Sequence, residues 1–213
     1  IHEIGEQDGL PYFTMDLVPG RSLVDLVRDH PLPARSAAAY VQTIAKAIHY
    51  AHEQGVLHRD LKPSNILIDA FDQPRITDFG LAKRLTGSSS DLTVSGQTLG
   101  SPNFMPPEQA AGKHKTSGPT SDIYGLGAIL YFLITGRPPF MAENVSAAVR
   151  QVLENEPVSP RVLNPSVPRD LDTLCLKCLQ KEPKQRYASA QEVADELGRL
   201  LRGEPIQARP VST

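Results

Sequence analysis

The sequence predicts an α+β fold in a single domain, and three observations lead there. Long stretches carry helical periodicity, short β-branched runs cluster near the start and between residues 55 and 80, and no internal repeat relates one part to another. At 213 residues the chain can bury one core, and a second domain is not expected.

Residues 1–5 and 12–17 read as two strands joined through Gln7, Asp8 and Gly9, where Asp-Gly is a hairpin signal. Pro19-Gly20 breaks the second strand. Ser22 then caps a short helix through His30, with Leu23, Leu26 and Val27 on one face. A longer helix is expected over 33–54, with Tyr40, Val41, Ile44, Ala47, Ile48 and Ala51 inward, ended by Gly55. Residues 66–68 and 75–77 read as short strands around a turn at Asp72, Gln73 and Pro74. Residues 83–105 are rich in Ser, Thr and Gly and have no period, which predicts a long loop. After Glu108 helices are expected over 121–135, 145–155, 169–180 and 189–201.

Composition removes several function classes. A net charge of −2 gives no global reason to expect nucleic acid or an anionic membrane, so any basic site has to be local. The longest apolar run, 123–135, falls short of the about 20 residues a membrane helix needs, and a buried helix is expected instead. The sequence opens on Ile1 without a signal-peptide pattern and reads as a piece of a longer polypeptide. Prolines cluster at 157–168 and 205–210, marking a long connection and a terminal linker over 204–213. Cys175 and Cys178 form a CxxC. Leu171, Leu174, Cys175, Cys178 and Leu179 share one helical face, however, so the thiols are expected in the core rather than on a metal. With no disulfide framework, a reducing cytoplasm is the expected compartment.

The chemistry-bearing residues lie between these elements. His58-Arg59-Asp60-Leu61-Lys62-Pro63-Ser64-Asn65 fits H-R-D-L-x-x-x-N at every fixed position. Asp78-Phe79-Gly80 begins 13 residues after Asn65, and Pro106-Pro107-Glu108 follows. These residue types suit phosphoryl transfer, which needs metal ions, alignment and one group to take a hydroxyl proton. Asn65 and Asp78 offer an amide oxygen and a carboxylate to hard Mg²⁺. Asp60 could orient an incoming hydroxyl, and Lys62 could neutralise charge on the transferred group.

On these motifs the chain resembles the large lobe of the eukaryotic-like (Hanks-type) serine/threonine protein kinases of bacteria. The resemblance runs from the fourth strand of the small lobe to the last large-lobe helix. It implies a protein-kinase-like fold over 1–203: the end of the small lobe and hinge at 1–17, as a remnant β-hairpin, and a mainly helical large lobe at 18–203. It implies ATP-dependent phosphorylation of protein Ser or Thr, with ATP and Mg²⁺ as cofactors and Mn²⁺ as an alternative metal. By the same resemblance Asp60 is the catalytic base, Lys62 its phosphate-side helper, and Asn65 and Asp78 the metal ligands. Met15 stands as gatekeeper behind the adenine, Asp16 and Val18 as hinge residues bonding its edge, and Leu67 beneath its ring. Ser101 resembles the docking-loop hydroxyl that bonds the catalytic Asp and Lys; with Lys62 it favours Ser/Thr over Tyr as acceptor. Arg59 beside Asp60 implies ordering by activation-loop phosphate, with Thr93, Ser95 and Thr98 as candidate sites. Asp122 resembles the residue that receives catalytic-loop amides, Glu108 and Arg186 a buried ion pair, and His58 and Phe79 a stacked spine; Gly80 completes the Asp-Phe-Gly.

The sequence departs from the family at Pro106, Phe104 and Tyr124. It contains no Gly-rich phosphate loop, no strand-three Lys and no partner Glu, so these 213 residues alone are expected to have little or no activity. Expected partners are ATP and a protein presenting Ser or Thr, with a dimer of kinase domains as an option and no nucleic acid or membrane contact. Two other readings stay open on sequence alone: a pseudokinase scaffold, and a small-molecule phosphotransferase of related fold.

Overall fold

A computed structural model of the chain describes residues 2–7, 10–79, 102–112 and 118–209, with the backbone alone at Ile4, Pro11 and Phe13. Five strands are described: β1 (Glu3–Gln7), β2 (Leu10–Thr14), β3 (Gly20–Ser22), β4 (Ile66–Asp69) and β5 (Pro74–Ile76). The helices are α1 (Leu23–Leu26), α2 (Ala34–Glu53), α3 (Pro107–Ala110), α4 (Pro119–Thr135), α5 (Val145–Glu154), α6 (Pro160–Leu163), α7 (Arg169–Cys178) and α8 (Ala190–Arg202). Single 3₁₀ turns form at Pro63–Asn65, Pro102–Phe104 and Pro183–Gln185. The fold is α+β: two small antiparallel sheets beside a mainly helical lobe.

β1 and β2 pair antiparallel with Glu3 opposite Thr14 and Gln7 opposite Leu10. That register suits a two-residue connection, the length Asp-Gly serves; Asp8 and Gly9 lie outside the described residues. Pairing rather than apolar alternation sets the strand ends, so β1 reaches Gln7 and β2 stops at Thr14. The second sheet has the order β3-β4-β5, and its edge strand β3, Gly-Arg-Ser, carries no strand signal in sequence.

Ser22 ends β3 and caps α1. Its Oγ accepts the Asp25 N–H at 3.2 Å, while the Asp25 carboxylate accepts the Ser22 N–H at 3.3 Å. The helix stops at Leu26 rather than 30, because its buried anchors Leu23 and Val27 lie within one turn and Pro31 disfavours helical geometry at His30. In α2 the inward stripe is Ala37, Ala38, Val41, Ile44, Ala45 and Ile48. Ala47, expected inward, is exposed. Alanine carries too little apolar surface to declare a face by itself.

The lobe is assembled on α4, in which every residue from Ser121 to Tyr131 is buried. Gly118 caps it and Pro119 opens it, two residues earlier than periodicity indicates. α2, α7 and α8 pack around it. A Cβ at Gly127 would lie 2.5 Å from Cys178 Cβ, so only glycine lets α7 come this close. Cys175 and Cys178 are fully buried free thiols; burial pushes Cys178 up to about 12 and Cys175 well above its ordinary value, which leaves both inert.

Residues 204–209, expected as the start of a linker, lie against the lobe. Ile206 packs on the core and Ala208 is buried. The Glu196 carboxylate on α8, 5% exposed, accepts the backbone N–H of Gln207 at 2.9 Å and of Ala208 at 2.8 Å. Among the described residues no helix is long and apolar enough to cross a membrane.

Candidate active site

The segment His58 to Asn65 leaves α2 through Gly55 and is held from below by the first turns of α4. Asp122, 2% exposed, accepts the backbone N–H groups of His58 at 2.9 Å and Arg59 at 2.8 Å, and the His52 Nε2 at 2.8 Å. A carboxylate so near a helix N-terminus is also favoured by the helix dipole. Leu61 is seated against Gly125, where a Cβ would meet the Leu61 Cβ at 2.8 Å. Arg59 has φ of 68°, a left-handed geometry that costs a non-glycine residue about 1–3 kcal/mol and persists only where neighbours impose it.

That turn delivers three polar side chains to one place. Lys62 Nζ donates to Asp60 Oδ2 at 2.8 Å. Asn65 Nδ2 donates to the Asp60 carbonyl at 2.8 Å and to its Oδ2 at 3.3 Å. The Asn65 carbonyl in turn accepts the Thr77 N–H at 2.9 Å and the Thr77 hydroxyl at 3.2 Å, which brings Asp78, the next residue, alongside. Asp78 is exposed, with φ of 60°.

His58 braces this assembly. The Asp60 N–H donates to its Nδ1 at 3.3 Å, so the hydrogen sits on Nε2, which donates to the Thr77 carbonyl at 2.9 Å. Burial holds the imidazole below its ordinary pKa; Asp122, the Thr77 carbonyl, Asp60 and Asp78 pull the other way and do not overcome it. A neutral ring is the form the two hydrogen bonds require. The Phe79 ring lies 4.8 Å from it, tilted by 47°.

Met15, Asp16, Val18, Arg75, Ile76, Thr77, Asp78 and Phe79 line an open cleft of about 440 Å³ that meets the site at Asp78. Leu67, half-buried on β4 between Ser22 and Arg75, is not part of that lining. Gly80, Thr93, Ser95, Thr98 and Ser101 lie outside the described residues.

On the far side of the loop, Arg186 grips Glu108 with two hydrogen bonds of 2.9 and 2.8 Å and also donates to the carbonyls of Thr120, Gln180 and Lys181. Burial raises the Glu108 carboxyl, but the hydrogen bonds from Arg186 and Ser121 outweigh it and leave the group below the usual carboxylate range. Four participants went unread in the sequence: His52, Thr77, Gln109 and Ser121. Each acts on a partner 12 to 70 positions away, a separation that leaves no local pattern.

The family description "Protein kinase domain" matches residues 1–197. Serine/threonine-protein kinase PknB of Mycobacterium leprae (strain TN) is 34% identical over 218 residues, covering 100% of this chain and 35% of that protein. PknB of Mycobacterium tuberculosis (strain ATCC 25618 / H37Rv) is 33% identical, covering 100% of this chain and 34% of that protein. Serine/threonine-protein kinase PrkC of Bacillus subtilis (strain 168) is 38% identical over 194 residues, covering 91% of this chain and 29% of that protein. The chain spans about a third of the length of the curated relatives it matches.

Proposed function

The chain belongs to the protein kinase domain family, and on that premise we propose that the protein carrying it transfers the γ-phosphoryl group of ATP to serine and threonine hydroxyls of other proteins. The observation that carries this reading is the Asp60 carboxylate, held by Lys62 and Asn65 on a turn tethered to the buried Asp122, with Asp78 in the lining of an open cleft.

Asp60 orients the acceptor hydroxyl and takes its proton; Lys62, 2.8 Å away, offsets the charge of the phosphoryl group in transit. Asn65 turns its Nδ2 to Asp60; its Oδ1 accepts the Ser64 hydroxyl at a long 3.4 Å and has a second lone pair for a hard cation, and Asp78 adds a carboxylate. An amide oxygen and a carboxylate fit Mg²⁺, or Mn²⁺, in a site completed by phosphate oxygens and water. Bound there, the ion would neutralise charge on the phosphates. In this reading the adenine edge meets the backbone of Asp16 and Val18, with Met15 behind it and Leu67 beneath. Ser101 docks against Asp60 and Lys62, and phosphate on Thr93, Ser95 or Thr98 pairs with Arg59 to order the activation segment. Residues 1–203 act as the incomplete catalytic domain. The 213 residues alone stay inactive or nearly so, since the sequence holds no Gly-rich loop or Lys–Glu pair.

The test uses full-length protein with γ-labelled ATP beside an Asp60→Asn variant. Loss of the base is expected to cut labelling by about 10²–10⁴-fold. Equal labelling of the two would overturn the assignment.

A further inference from the structure

Two neighbouring residues at the start of α4 hold two different segments. Asp122 Oδ1 accepts the Arg59 N–H at 2.8 Å, and Ser121 Oγ donates to Glu108 Oε1 at 2.7 Å. The catalytic turn and α3 thus stand on adjacent points of one buried helix. The gap between them is bridged a second time: Gln109 Nε2 donates to the Arg59 carbonyl at 3.1 Å. The result is a closed ring running from the Arg59 N–H through Asp122, Ser121, Glu108 and Gln109 back to the Arg59 carbonyl.

The ring has little slack. It borders a cavity of about 20 Å³ lined by Arg59, Asp60, Gln109, Ser121 and Asp122 among others, room for about one water. Glu108 cannot drift, because Arg186 fixes both of its oxygens. The Arg59 carbonyl belongs to the peptide whose nitrogen is that of Asp60, and the orientation of this peptide decides where the Asp60 side chain starts. Arg59 is left-handed, a conformation held by its surroundings. Its N–H is held by Asp122 and the Asp60 N–H by His58, so the Gln109 amide is the remaining clamp described on this peptide.

We propose that Gln109 is a positioning residue for Asp60, passing the placement of the Glu108 anchor to the catalytic turn through the Arg59 carbonyl. The proposal rests on the reading of Asp60 as the proton acceptor. Gln109 is only partly buried, so water can replace its amide on the carbonyl at small cost in stability; what is lost is direction.

The experiment compares full-length wild-type protein with Gln109→Met, which keeps length but has no donor, and Gln109→Lys, which restores one. Hydrogen exchange is followed in peptides covering residues 58–62, beside steady-state phosphorylation. For Gln109→Met, exchange at the Arg59 and Asp60 amides is expected to accelerate about tenfold while α4 amides keep their wild-type rates. The value of kcat is expected to fall about tenfold with KM for Mg-ATP unchanged within about twofold, and Gln109→Lys to recover most of both effects. Unchanged exchange at residues 58–60 overturns the proposal whether or not the protein is active. Altered exchange with unchanged kcat in an active enzyme overturns it as well. Altered exchange in a wild-type protein that transfers no phosphate would retain the clamp and reject the kinase reading instead.

Discussion

At the scale of single residues, the decisive features are charges taken out of water and fully matched. Glu108 and Arg186 show why matching matters: a fixed guanidinium keeps a buried carboxyl ionised. Because the folded pKa of Glu108 is depressed, its contribution to stability is present above the ordinary carboxylate range and is lost as pH falls through the folded value. Arg186→Met strands the carboxylate and is expected to cost about 3–5 kcal/mol near neutral pH. The cost should shrink on acidification, since a lone buried carboxyl prefers its proton. Urea melts of both proteins from about pH 3 to pH 7 check this. Parallel pH profiles would contradict it. The family resemblance was enough to nominate Glu108 and Arg186, but not the Ser121 hydroxyl or the Thr120 carbonyl that complete the cluster. Those partners are ordinary helix residues until the fold turns them inward.

At the scale of elements, α4 sets the positions of nearly everything else. It gives Asp122 to the turn over 58–65, Ser121 to α3, and two glycine notches, one for Leu61 and one for Cys178. Gly127→Ala places a Cβ 2.5 Å from Cys178 Cβ, between two backbones that cannot both stay. Overpacking of this kind is expected to destabilise by about 1–3 kcal/mol, read as a fall in melting temperature with the m-value unchanged. A variant that melts with wild type would mean that α7 is free to move away. Helix existence was legible wherever a 3.6 period ran for several turns, as in α5, α7 and α8. Extent was less legible in α1, where a single turn suffices to bury Leu23 and Val27; alanine-rich α2 was found within a residue of its expected bounds, but packing selected its inward face. The strand β3 was invisible because Gly20, Arg21 and Ser22 include no β-branched or aromatic residue; β4 makes it a strand by pairing.

At the scale of the whole molecule, the lobe extends past its last helix. Glu196 accepts the consecutive amides of Gln207 and Ala208, and Ile206 fills a place on the core. The proline-rich composition of this stretch suggested a linker, yet proline is compatible with an extended strap whose few amides are captured by one carboxylate. Glu196→Ala is expected to lower stability by about 1–3 kcal/mol and to release the Gln207 and Ala208 amides to rapid exchange. Slow exchange at both positions in the variant would show that burial of Ala208 alone holds the tail.

By itself the sequence determined the fold class and the family, and it nominated positions for phosphoryl chemistry, since these readings depend on periodicity and on residue types at fixed short spacings. Only the tertiary structure decided which further groups complete the match around each buried charge, which face of an alanine-rich helix points in, and that the tail is held. Each of these depends on groups brought together from distant parts of the chain, and the free energy of a buried charge is set by the atoms around it rather than by its neighbours in sequence.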